Sequence, residues 1–124
     1  MRWSEILENL RNYREVRVLK TELNQMFNKR GLFIKFSDHF IQRLMQRRIE
    51  ENDVKYTFSK FSKYVPKITK PGYHGMIFDE ETYLNIPFRV TKRDDEQYSM
   101  ILFTSVKDKK QLKPQLTDSE ILKV

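Results

Sequence analysis

YLNIPFRVTK (83–92), RDDEQ (93–97) and SMILFTSVK (99–107) decide the fold. Two runs rich in β-branched and aromatic residues flank a polar stretch, the pattern of two antiparallel strands joined by a hairpin loop. Upstream, KYVPKI (63–68) and HGMIF (74–78) have the same character and are set off by KPGY and DEET. Strands are therefore expected over 63–107, with Pro66 and Pro87 each placing its strand at an edge or a bulge. Before residue 62 the period is different. Val16, Leu19, Leu23, Met26 and Phe27 recur at spacings of three and four without Gly or Pro, which predicts helix over 4–29, in one piece or broken near Asn12. Ser4 is its expected cap and Gly31 its stop. LFIKF (32–36) is a short strand candidate, Ser37 caps a helix reaching Ile49, and a further helix starts at Glu50–Asp53 and runs to about Phe61. The tail from Lys109, with Pro114, is polar and is expected to pack loosely. The expectation is one α+β domain over 1–124, with N-terminal helices packed on a twisted antiparallel β-sheet.

Composition bounds what such a domain does. The chain has 124 residues, 39% hydrophobic and 33% charged, enough for one core and too few for two. Nine Phe, six Tyr and one Trp supply that core. No apolar run approaches the roughly 20 residues of a membrane span, and MRWSEILENL lacks the apolar core of a signal peptide. Cysteine is absent, which excludes disulfides, thiolate zinc sites and a Cys nucleophile and fits a reducing, cytoplasmic compartment. The net charge is +7, and residues 1–71 carry 16 Lys plus Arg against eight Asp plus Glu, so the whole excess lies there. A one-sided basic balance is the footprint of a polyanion binder, although solubility alone also favours excess charge.

One segment carries chemistry. In SDHFIQRLMQRRI (37–49), His39, Arg43 and Arg47 follow each other at i, i+4 and i+8 and form one row on the helix, while Phe40 and Leu44 turn to the core. Arginines one turn apart repel on a bare helix, and an anion between them resolves that, because guanidinium groups bind phosphate bidentately. The imidazole is suited to proton transfer near neutral pH. Spacing alone leaves a solvated surface stripe as the other reading.

The segment LFIKFSDHFIQRLMQRRIEENDVKYTFSKF (32–61) resembles the RegB endoribonuclease family of T-even-like bacteriophages: aromatic-Ser-x-His-x3-Arg-x3-Arg-x-Ile, then an acidic helix start and a Val. More distantly it is similar to the RelE and HigB toxin superfamily. The last two strand candidates look like the paired final strands of the same family. The resemblance implies a RelE-like microbial ribonuclease fold and sequence-selective cleavage of mRNA in translation-initiation regions, without metal or cofactor, leaving a 2′,3′-cyclic phosphate. It implies RNA as partner, with the ribosome or an RNA-binding ribosomal protein as helper, in a host bacterial cytoplasm.

By the same resemblance the catalytic His falls at His39, the helix arginines at Arg43 and Arg47, and a first-helix Glu at Glu15. The family's second His falls at Ser59, which cannot shuttle protons near neutrality. His74 is the expected substitute, with Tyr73, Tyr64, Lys60 and Lys63 behind it. Arg48, Lys60, Lys63, Lys107 and Lys109 are candidate phosphate contacts, and Tyr64 and Tyr73 candidate platforms for bases. Two further readings stay open: a non-catalytic binder of RNA, the ribosome or a host protein, and a toxin covered by an acidic antitoxin.

Overall fold

In the computed structural model, residues 3–46, 51–94, 96–114 and 118–124 are described, with only the backbone for 4–9 and 11. Helix α1 (Trp3–Phe27) is a single unbroken helix. Val16, Leu19, Leu23 and Phe27 line its buried face at three- and four-residue intervals, whereas Met26 turns outward. A 3₁₀ turn over Asn28–Arg30 ends at Gly31 in the left-handed region, φ 75°. Only glycine serves at this point, since a Cβ there would lie 2.6 Å from the Glu96 carbonyl oxygen.

Strand β1 (Leu32–Phe36) leads into α2 (Asp38–Gln46) and α3 (Glu51–Phe61). The expected strand over 63–68 is instead helical: a 3₁₀ turn over Ser62–Tyr64 and a short α4 (Val65–Ile68). Pro66 sits in the first turn of α4, where its missing N–H leaves no bond unmade. Val65 and Ile68, three apart, both enter the core, so the β-branched residues that suggested a strand serve a helix face.

Five further strands follow: β2 (His74–Phe78), β3 (Leu84–Asp94), β4 (Gln97–Leu102), β5 (Val106–Lys107) and β6 (Glu120–Lys123). The sheet runs β1-β4-β3-β2-β6, with β5 also on β3. As expected, β2, β3 and β4 are antiparallel and β3–β4 is the hairpin. The flanking strands add in parallel, Leu32 opposite Tyr98 and Ile77 opposite Leu122, so the sheet is mixed. The tail expected to be loose thus ends as an edge strand, with Leu122 buried against the core.

Pro87 lies inside β3 at the point where its pairing changes partner. Toward the hairpin β3 pairs with β4 as far as Phe88–Leu102, and at its other end with β5 through Leu84–Lys107 and Asn85–Val106. Proline has no N–H to offer a continuous neighbour. Residues 103–105 leave the ladder there, with only Phe103 N bonded to Pro87 O at 3.0 Å.

The helices cover one face of the sheet. Phe27, Phe58, Phe61 and Phe88 interlock edge to face, with centroids 5.8–6.3 Å apart. Beside them Asp79, fully buried, receives Lys60 Nζ at 2.7 Å, Thr57 Oγ1 at 2.8 Å and the Glu81 amide at 2.8 Å. Burial works to raise this carboxyl's pKa. The bonds from Lys60 and Thr57 and from the amides of Glu81 and Thr82 outweigh it and hold the group below the usual carboxylate range.

Candidate active site

The break at Pro87 opens a cleft of about 410 Å³. Ser37 and His39 form its helix wall, Gly75, Pro87 and Phe88 its floor, and Phe103, Thr104, Pro114 and Ser119 its remaining sides. The cleft falls in the volume range of small-molecule sites, roughly 300–1,000 Å³.

Ser37 joins the helix wall to the break. Its amide donates to Leu102 O at 3.1 Å and its hydroxyl to Phe103 O at 2.8 Å, while Oγ accepts the Phe40 amide at 3.1 Å as the cap of α2. His39 therefore projects from the first turn of a helix anchored to the lip of the cleft. Arg43, one turn on, directs its Nε–H to His39 Nε2 at 3.4 Å. An N–H aimed at Nε2 needs a lone pair there, which places the proton of a neutral ring on Nδ1. The row expected on α2 is thus realised for His39 and Arg43; Arg47 and Arg48 lie outside the described residues.

Ser119, also in the cleft's lining, has its Oγ 2.7 Å from His74 Nδ1. His74 opens β2 next to the floor residue Gly75, in register with the exposed Arg89 of β3. A Cβ at Gly75 would stand 2.9 Å from Glu120 O and 3.2 Å from the Phe88 ring, so glycine lets β6 approach and brings Ser119 to the cleft. The two histidines, 35 positions apart in sequence, serve one cleft, His39 directly and His74 through Ser119. Thr104 Oγ1, in the cleft's side, is buried and finds no hydrogen-bond partner among the described residues.

The other sequence candidates stand apart from this arrangement. Glu15 acts electrostatically at the start of α3: burial first and then the Glu15 charge raise the Glu51 pKa, with Lys55 opposing. Among the described residues Glu15 makes no hydrogen bond or ion pair with His39. Lys60 is taken up by Asp79 and lies 4.5 Å over the Tyr56 ring. Lys63 lies 5.3 Å over Tyr64, and Lys107 pairs with Asp53 at 3.5 Å. Lys109 is exposed. The rings expected to stack on bases are half-buried, each with a ring neighbour in the core. Tyr64 lies 6.0 Å from Phe61 and donates to Lys123 O at 2.8 Å. Tyr73 stacks on Phe88 and donates to Glu120 at 3.1 Å. Burial, then the Glu120 carboxylate, push the Tyr73 phenol well above its ordinary value.

Ser119 and Thr104 carry no signal in the sequence: Thr104 reads as part of the apolar strand run 99–107 and Ser119 as part of a polar tail, and the strand pairing of β6 and the break at Pro87 bring both to the cleft that His39 lines. Among the described residues no three His, Asp or Glu converge as a metal site, and no helix is long and apolar enough to cross a membrane. Comparison with known proteins finds no matching family model, curated protein or solved structure.

Proposed function

We propose that the chain is an endoribonuclease that cuts mRNA by internal transesterification in the cleft beside His39. The observation that carries this reading is one cleft of about 410 Å³ lined by both His39, which Arg43 contacts, and Ser119, which lies 2.7 Å from His74. His39 takes the proton of the 2′-hydroxyl, whose oxygen attacks the adjacent phosphorus. Arg43, beside it, stabilises the charge that builds on the phosphoryl oxygens. The 3.4 Å contact from Arg43 to the imidazole is long, so a substrate hydroxyl competes well for the same lone pair. The 5′-oxygen leaves, giving a 2′,3′-cyclic phosphate and a 5′-hydroxyl, and no step calls for a metal. The resemblance over residues 32–61 points the same way and suggests translation-initiation sequences as targets.

One observation favours a second reading, a non-catalytic binder of RNA or the ribosome. Ser59, where the resembling family has its second His, is exposed and turns its hydroxyl back to Tyr56 O at 2.6 Å. Helix α3 then brings no proton donor from that position. Incubating wild type and His39→Ala with in vitro transcribed mRNA in EDTA, and mapping 5′ ends, separates the two. Discrete cuts lost in the variant support the nuclease. Binding without cuts, indifferent to His39→Ala, overturns it in favour of the binder.

A further inference from the structure

Ser119 links the cleft to a titratable group that stands behind its wall. The hydroxyl lies 2.7 Å from His74 Nδ1, and both residues are half-buried. Several bonds fix the pair's position. His74 is held in register on β2, and Gly75 keeps β6 in close approach. Glu120, the residue after Ser119, receives the Tyr73 hydroxyl at 3.1 Å and pairs with Lys67.

We propose that Ser119 and His74 together are the general acid of the cleavage, Ser119 passing a proton from His74 to the leaving 5′-oxygen. This rests on the ribonuclease reading above. A serine hydroxyl donates and accepts at once, which is what a relay requires and what a lone serine acid lacks the acidity to replace. As the P–O5′ bond breaks, its electron pair stays on O5′, which takes the Ser119 Oγ proton. Oγ in turn takes the Nδ1 proton of protonated His74, leaving serine unchanged and a neutral imidazole. The proton removed from the 2′-hydroxyl rests on His39, so one proton is gained and one lost by two groups that serve the same cleft. Water-mediated exchange between the two rings after product release restores the starting state. The second acid–base group thus comes from the sheet edge.

A synthetic RNA spanning a mapped cut site, carrying oxygen or sulfur at the bridging 5′ position, tests the relay, because a thiolate leaves without protonation. Ser119→Ala and His74→Gln are each expected to slow cleavage of the oxygen substrate by about a hundredfold, within the usual range for losing a general acid. Both variants should cut the sulfur substrate at nearly the wild-type rate, and the double variant should be no slower than either single one. Ser119→Thr, which keeps the hydroxyl, should restore most of the oxygen-substrate activity and guards against a folding defect at β6. His39→Ala should stay slow on both substrates. Wild-type rates for Ser119→Ala on the oxygen substrate, or a defect that persists with sulfur, overturn the relay and leave the nuclease standing. A wild-type protein that cuts no RNA overturns both.

Discussion

The Lys60 ammonium sits 2.7 Å from the carboxylate of Asp79, which has no solvent exposure, so α3 and the β2–β3 turn are joined by a charge pair at the domain's interior edge. Thr57 and two backbone amides complete the carboxylate's hydrogen bonds. Lys60→Met leaves that charge buried and only partly compensated, and is expected to cost about 3 kcal/mol, the usual scale for breaking a buried pair from one side. Urea unfolding monitored by circular dichroism measures it.

The same carboxylate sets an acid limit. Its pKa is lowered on folding, so its stabilisation is complete above the unfolded carboxylate value of 3.8 and is lost as pH falls through the lower folded value. The wild-type unfolding midpoint should therefore drop more steeply below about pH 4 than that of Asp79→Asn, which starts lower but is flatter there. Equal slopes in the two melting series would show that Asp79 is not the group responsible.

Leu122→Ala tests the last strand. Its side chain is buried in the core, so truncation is expected to cost about 2–4 kcal/mol, as for other buried Leu-to-Ala changes, where a loose tail would lose almost nothing. Thermal melts compare the two outcomes directly.

Gly75→Ala pushes a methyl group toward Glu120 O and the Phe88 ring. It is expected to destabilise the protein by about 1–3 kcal/mol through overpacking and to speed amide exchange selectively at residues 120–123. Unchanged protection of that segment would show that the close approach is not what seats β6.

For the proposed cleavage, His39→Ala should lower the rate on a mapped site by about 10²–10⁴-fold, the usual contribution of a general base. Arg43→Lys keeps the charge and loses the planar fork, and a loss of about 10²-fold is expected, the scale of removing one donor to developing charge. Rates within a factor of two of wild type for either variant would remove that residue from the mechanism.

What the sequence discloses here follows the range of the interactions involved. Helix α2 was legible because its signals are local: Ser37 as cap, Phe40 and Leu44 inward, His39 and Arg43 a turn apart. The β3–β4 hairpin was legible for the same reason. Strand β1 was legible as a segment, LFIKF, but its parallel pairing was not, since its partner is distant in the chain; β6 was missed outright, because a short polar–apolar segment such as Glu120–Lys123 has no periodicity to reveal it. The Val–Pro–Lys–Ile run read as strand because β-branched residues suit either state, and Pro66 at a helix start decides against the strand. Glu15 was placed by the resemblance, but among the described residues its charge acts on Glu51 at the start of α3. Ser119 has no local mark at all.

Pro87 gives the cleft a particular kind of permanence. A recess made by a flexible insertion closes whenever the insertion finds a better resting place, whereas this one exists because a ring nitrogen has no hydrogen to share with a passing strand. The opening is therefore a property of covalent structure, present before any ligand arrives and carrying no conformational cost to maintain. Residues 103–105 leave the ladder at that point yet stay tied down, Phe103 through its amide to Pro87 O and through its carbonyl to the Ser37 hydroxyl, so the lip keeps its place while the cleft stays open.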